Sequence, residues 1–410
     1  MWHFGAACNK RNKTWQYPSR CCQKKWRQTG AIFFACGVFM KLSRSVHFRW
    51  FGVVACLVMI AGCQMQPVSV AGGAEPADKV PVIQGNAARI AIEAHMVWGG
   101  EARCAATEGC RLVLVEHEEG KVALHRIDGR TSRLLDRQPV AYHPDSAIWL
   151  SDTLVAAAVE NTGSLDIFRV EGERLVRIHQ AQVGFAPRDV ILASASQGQY
   201  KFLATPYSGK DVAWIDWHED NRQAATSKKV RWCEAPWHPV RVSKIPRVQG
   251  GGFAVACLDD RKVVAVSDAD LLATPRVLAS FAAVARQARP SPSGHWLYVS
   301  LETGSRNARI NMQSGELQWI RSPLTGSVSV APLSDDIVVW GEDAKLYLQR
   351  LDADAKVLET RWLKTSGFST GLQLIDLDGD GERDLVVLNS VDTVVDVIYG
   401  PLWDRAAERL

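Results

Sequence analysis

Asp376, Asp378, Asp380 and Asp384 occupy positions 1, 3, 5 and 9 of the run Asp-Leu-Asp-Gly-Asp-Gly-Glu-Arg-Asp near the C-terminus. Odd-numbered positions of a tight turn aim their oxygens inward, and a hard cation such as Ca²⁺ needs several oxygens at once. The backbone carbonyl of Glu382 takes position 7, and Gly381 falls where the loop must turn sharply. Without a metal, four carboxylates this close repel one another. The spacing therefore predicts a Ca²⁺ site, against the plainer reading of an acidic turn. Position 12 is Val387, where an EF-hand needs a bidentate Glu, and the flanks 372–375 and 385–388 are short apolar runs typical of strands.

Other candidate chemistry is weaker. Gly367-Phe368-Ser369-Thr370-Gly371 matches G-x-S-x-G, but a strand and the acidic loop follow it, where a nucleophile elbow needs a helix. Gln249-Gly250-Gly251-Gly252 lacks the Lys-Ser/Thr of a phosphate-binding loop and reads as a turn. Trp217-His218-Glu219-Asp220-Asn221 gathers titratable groups in what reads as a solvated turn. The densest aromatic loop runs from Trp232 to Pro239 and includes Cys233, Trp237 and His238. It is either a recognition surface or a disulfide-pinned cap. His117, His125, His143, His179 and His295 are scattered and lend no positive support to a catalytic cluster.

With Gly367-Phe368 upstream and the acidic loop between two strand-like runs, residues 367–389 resemble an FG-GAP/VCBS repeat. That family places a calcium loop between strands of a β-propeller blade. The likeness covers about one blade, carries a single calcium motif, and implies a fold and a metal but no reaction.

An export signal lies at the other end. Lys41, Arg44 and Arg49 precede a short apolar core at 51–60, too short to span a bilayer comfortably. Ile60-Ala61-Gly62-Cys63 then resembles a bacterial lipoprotein box, which implies that Cys63 becomes the lipidated first residue. Gln64 follows, and the lack of Asp there implies sorting to the outer membrane, facing the periplasm or the surface. The expected organisation is an over-long start (1–39), a lipoprotein signal peptide (40–62), a flexible tether rich in Gln, Ser, Ala, Gly and Pro (63–85), and a folded body (86–410). A transit peptide is the alternative for the leader.

The signal changes the meaning of the charge. The whole chain has 48 Lys+Arg and 44 Asp+Glu, but residues 1–62 hold ten of the bases and no acid. The remaining 38 bases against 44 acids leave a formal charge of −6, which removes the basic footprint that nucleic-acid binding needs. Beyond Cys63 the cysteines are Cys104, Cys110, Cys233 and Cys257. An even number in an oxidising compartment favours disulfides, and three pairings are open. Cys104–Cys110 and Cys233–Cys257 each close a local loop and are preferred.

The elements that must hold these groups are strands. Seven two-strand patterns recur, at 112–115 with 121–128, 154–159 with 165–170, 202–204 with 212–217, 253–257 with 263–266, 296–300 with 308–312, 337–340 with 346–351, and 385–388 with 394–398. Anchors Leu112, Leu154, Phe202, Phe253, Leu297, Ile337 and Leu385 are 42, 48, 51, 44, 40 and 48 residues apart. A four-stranded propeller blade takes roughly 40–50 residues. The expected fold is all-β, a seven-bladed β-propeller in which the first strand of each pair lines the channel. A β-sandwich pair or a β-solenoid is the competing architecture. Residues 269–287 form the main helix-tolerant stretch, interrupted by Pro275. The tail after Tyr399 is too short to finish the last blade, so the strand-like stretch 90–98 is expected to latch the ring.

These readings favour a non-enzymatic module of the cell envelope, membrane-bound through its lipid and meeting a protein partner. A periplasmic propeller enzyme, such as a lactonase-like hydrolase or a dehydrogenase, is the alternative.

Overall fold

Every residue of Leu154–Val159 is buried, and so is every residue of Gly252–Cys257 and of Asp384–Asn389. A strand buried on both faces reads as a continuous apolar run, because a packed layer covers each side of its sheet. Thr131–Pro139, by contrast, is mostly exposed or half-buried, as suits the outer margin of a sheet. The computed structural model describes residues 89–105, 109–220, 224–342, 344–391 and 393–406, with the backbone alone for 224–227. Cys63, the leader and the tether through residue 85 lie outside the described residues.

Seven four-stranded antiparallel sheets are formed. Six use four consecutive strands each. The first comprises Val97–Ala105, Gly109–Glu116, Lys121–Asp128 and Thr131–Pro139. The innermost strands of the next five are Pro144–Trp149, Pro187–Ser196, Pro236–Val242, Val284–Pro290 and Ser329–Pro332. The seventh sheet has Ser369–Ile375, Asp384–Asn389 and Val394–Ile398, with Arg89–Glu93 as its fourth strand. Each innermost strand packs against that of the next sheet, and Ser369–Ile375 packs back onto Val97–Ala105. The fold is a seven-bladed β-propeller.

The ring closes through the N-terminal strand. Arg89 pairs with Ile398 and Glu93 with Val394, and Arg89 forms an ion pair of 2.5 Å with the buried Asp396. Ile92 enters the core between the last and first blades, beside Leu112, Val386 and Val397. The stretch 90–98 is nonetheless divided. Only Arg89–Glu93 belongs to the last blade, and from Val97 onward the chain is the innermost strand of the first.

Two other expectations need correction. The strands anchored by Leu112, Leu154 and their equivalents are second in their blades. The channel is lined by the strands before them, which contribute Gly99, Gly100, Ser146, Val190, Val240 and Gln287 among others. These lack long apolar runs because they must meet at a crowded axis. A Cβ on Gly99 would stand 2.5 Å from the Asp145 carbonyl of the next blade. Residues 269–287 contain no helix, and Arg276–Ser280 and Val284–Pro290 within and beyond them are strands. The short helix Leu402–Arg405 follows the last blade instead.

Both disulfides have the local pairing. Cys104 and Cys110 are cross-strand partners in the first blade, and Cys233 ties the approach to the fourth blade to Cys257 in its second strand.

Candidate functional site

The acidic loop 376–383 joins the innermost and second strands of the last blade. Asp376 accepts N–H bonds from Gly379 at 2.8 Å and Gly381 at 3.1 Å. Asp378 and Asp380 accept from Asp380 (3.4 Å) and Glu382 (2.8 Å). Gly379 and Gly381 have φ of 78° and 86°, values that favour glycine and let the loop fold around its own carboxylates. Asp384 is buried and accepts from the Leu377 and Gly400 N–H groups at 2.7 and 2.8 Å. Burial pushes its carboxyl up, and Asp378 and Asp380 add to this against the two backbone bonds. Burial, with help from Asp384 and Asp378, also raises the Tyr399 phenol to about 12.

One carboxylate oxygen from each of Asp376, Asp378 and Asp384 lies within 4.8 Å of the others. That donor set fits a hard divalent cation, which would supply charge neutralisation and a rigid cross-link of the loop. Asp380 and Glu382 stand outside the cluster, in the exposed part of the turn. The Cys104–Cys110 disulfide abuts this loop, its sulfurs 3.3 Å from the carbonyl oxygens of Asp376 and Leu377.

A second cluster occupies the opposite face, where loops join second to third strands and one blade to the next. Trp98 enters from the first blade, and His117 lies in the turn after its second strand. Tyr142, His143 and Asp145 lead into the second blade, and Glu160 sits in that blade's next turn on the same face. Arg188 and Tyr207 come from the third blade, Trp237 and His238 from the fourth, and Arg286 from the fifth.

These side chains form one continuous stack. His117 lies between Trp98 and His143, with centroids 4.8 and 4.3 Å away, and Tyr142 meets His143 edge-on at 6.0 Å. The Arg188 guanidinium covers Trp98 at 4.4 Å and Trp237 at 4.6 Å, and Arg286 covers Trp237 at 4.7 Å. Tyr207 packs beside Trp237, whose indole N–H donates to the Tyr207 carbonyl at 3.3 Å. Tyr142 and Tyr207 remain exposed.

Carboxylates hold this array. Asp145 pairs with Arg188 at 2.7 Å and stands 3.3 Å from His117 Nε2. Glu160 is 3.6 Å from His143 Nδ1, and Asp189 is 3.5 Å from His238 Nδ1. Burial, then the charge on Asp145, pushes the Glu160 carboxyl up. Burial lowers His238 to about 4 against the pull of Asp189, with nearby arginines adding to the effect. Burial would raise Asp189, but His238 and Arg188 outweigh it and hold that carboxyl below its ordinary value. Asp189, His238 and Trp98 also border a channel cavity of about 280 Å³.

The remaining sequence candidates are structural. Ser369 of the G-x-S-x-G match is fully buried in a strand and shares a 2.8 Å hydrogen bond with Ser329. Glu219 is occupied by Arg169 at 2.8 Å. The loop beginning at Trp232 is both pinned by a disulfide and part of the stack through Trp237 and His238. Sequence reading missed the convergence of His117, Asp145, Glu160 and Arg188. The usable signal was positional, since His117, His143 and Glu160 all fall in turns at the same end of adjacent blades.

No family model matches this chain, and no curated protein does. Among solved structures, U3-55K is 12% identical with a TM-score of 0.58, over 76% of this chain and 98% of that one. The RRP9 WD40 repeats are 12% identical with a TM-score of 0.58, over 78% and 98%. A 6-phosphogluconolactonase candidate from Bacteroides uniformis is 13% identical with a TM-score of 0.52, over 77% and 93%. At such identities the likeness shows the propeller fold alone.

Proposed function

We propose that this chain is a calcium-binding, lipid-anchored propeller that serves as a non-enzymatic protein-binding or assembly module of the bacterial cell envelope. The observation that carries the binding role is the stack at the channel mouth, in which Trp98, Tyr207 and Trp237 alternate with Arg188 and Arg286 and Tyr142 stands exposed beside it. Trp, Tyr and Arg dominate the energetic centres of protein interfaces; Trp and Tyr bring large contact area with few torsions, and the Arg188 guanidinium is already held between Trp98 and Trp237. The Asp376, Asp378 and Asp384 cluster supports calcium, and the Ile60-Ala61-Gly62-Cys63 run supports the anchor.

A direct test is capture from detergent-solubilised envelopes with the wild-type chain and with Tyr142→Ala, Tyr207→Ala and Trp237→Ala combined. A specific partner should be retained by the first and lost by the second. Equal capture by both would sink the docking role of this face. For the anchor, Cys63→Ser should prevent acylation, and a Cys63→Ser protein processed normally and still membrane-bound would refute it.

One observation favours the enzymatic alternative, a lactonase-like hydrolase or a dehydrogenase. His117, Asp145 and Glu160 converge at the same mouth, as an acid–base site assembled from separate blades would require. Lactone hydrolysis abolished by Glu160→Gln would favour this reading over docking.

A further inference from the structure

Asp145 is nearly fully buried, and its two oxygens have different surroundings. Oδ1 receives Arg188 at 2.7 Å and faces His117 Nε2 at 3.3 Å. Oδ2 is also buried, and among the described residues no donor reaches it. A buried carboxylate oxygen without a donor is costly, of order 1–3 kcal/mol or more. The side chains grouped with this carboxylate are metal ligands by type. One donor atom each from His117, Asp145 and Glu160 lies within 4.8 Å of the others. Around a zinc ion with bonds near 2.1 Å, tetrahedral donors stand about 3.4 Å apart, so a small rotation of Glu160 at the rim would close the set.

We propose that His117, Asp145 and Glu160 bind a first-row divalent transition ion such as zinc, at a site distinct from the calcium loop on the opposite face. The two sites differ in donor chemistry. The loop offers oxygen alone, which suits calcium, whereas an imidazole with two carboxylates suits zinc and its neighbours. Local charge points the same way. Glu118, Asp145 and Glu160 against Arg188 leave two negative charges when both histidines are neutral, which one divalent ion offsets.

Arg188 occupies Oδ1 while its guanidinium rests on Trp98 and Trp237, and Oδ2 is the oxygen of this carboxylate that keeps its lone pairs without a donor. A hydrogen-bonded outer partner of this kind is usual for a ligating carboxylate. His117 is held in orientation by Trp98 and His143 on its two faces. His143 is a positioning residue here. Its ring is within 23° of parallel to that of His117 at 4.3 Å, so one ion cannot lie in both ring planes. Its Nδ1, 3.6 Å from Glu160, instead orients that carboxylate. Three protein ligands leave a fourth position for water or for a carboxylate of a docking partner.

The test is calorimetric titration of the full chain with zinc chloride in calcium-saturated buffer. The wild type should take up one Zn²⁺ at this site. Glu160→Gln and His117→Gln should each weaken it at least tenfold, and His143→Gln by about 10–100-fold, the range for an outer-shell partner. Asp378→Ala, in the calcium loop, should leave zinc affinity unchanged. Glu160 is half-buried at the rim, so Glu160→Gln should melt like the metal-free wild type and decides the matter if His117→Gln fails to fold. Absence of a zinc site in the wild type would overturn the proposal. Zinc binding indifferent to Glu160→Gln, or lost with Asp378→Ala, would overturn it too.

Discussion

Both oxygens of Asp384 accept backbone N–H bonds, from Leu377 and Gly400, although burial and the nearby Asp378 and Asp380 push its carboxyl up. That opposition is what a cation relieves. Calcium at a hundred times its Kd would add about 2.7 kcal/mol of stability. Chelation should therefore lower Tm, and Asp378→Ala should reproduce the drop and remove further response to chelator. Identical melting with excess calcium and with chelator would remove calcium from the account. The acidic cluster was legible because its carboxylates lie within nine consecutive residues of the sequence. The mouth was not, because His117, Asp145, Glu160 and Arg188 come from three blades and meet only after the sheets stack.

The second and third strands of every blade were readable, since burial on both faces demands runs such as Leu154–Val159 and Lys262–Ser267. The innermost strands were hidden by the requirements of the axis. Val97–Ala105 carries Gly99 and Gly100 where neighbouring backbone leaves no room for a Cβ. Outer strands such as Arg276–Ser280 are half-exposed and carry no strong pattern, which is how 269–287 came to look helix-tolerant. Strand burial also has a pH consequence. His125, inside Lys121–Asp128, is lowered to about 4 by burial and then by Arg137. Its ordinary value is 6.5, so the unfolded chain binds this proton more readily. Stability from the neutral ring is complete above about pH 6.5 and is lost as pH falls toward 4, on the order of 3 kcal/mol in all. The Tm of His125→Leu should consequently gain on the wild type as pH drops through that window. Parallel pH profiles would show that His125 is not the group responsible.

Across the whole molecule, the ring depends on a strand some 300 residues from its partner. Arg89–Glu93 completes the last blade, buries Ile92 and pairs Arg89 with Asp396. Removing residues 89–95 takes away that pairing and exposes the margin of Val394–Ile398, an invitation to edge-to-edge association. Burying one Ile contributes about 1.5–3 kcal/mol, which in a body of this size corresponds to a fall in Tm of roughly 2–5 °C, with aggregation on heating. A variant lacking 64–84 should melt as the parent does. Equal Tm for both deletions would mean that the N-terminal strand does not hold the ring together.

The propeller presents two chemically different faces, an acidic loop braced by a disulfide on one and an aromatic–arginine mouth on the other. The mouth is the face proposed to receive a protein partner. Site-specific photo-crosslinking in intact cells tests this most directly, with the probe placed at Tyr207 and, as control, at Val277 on the exposed outer strand of the fourth blade. One discrete adduct is expected from position 207, abolished by Trp237→Ala, and none from 277. An adduct from 277 alone, or no adduct at 207 in cells expressing the folded protein, would contradict docking at the mouth.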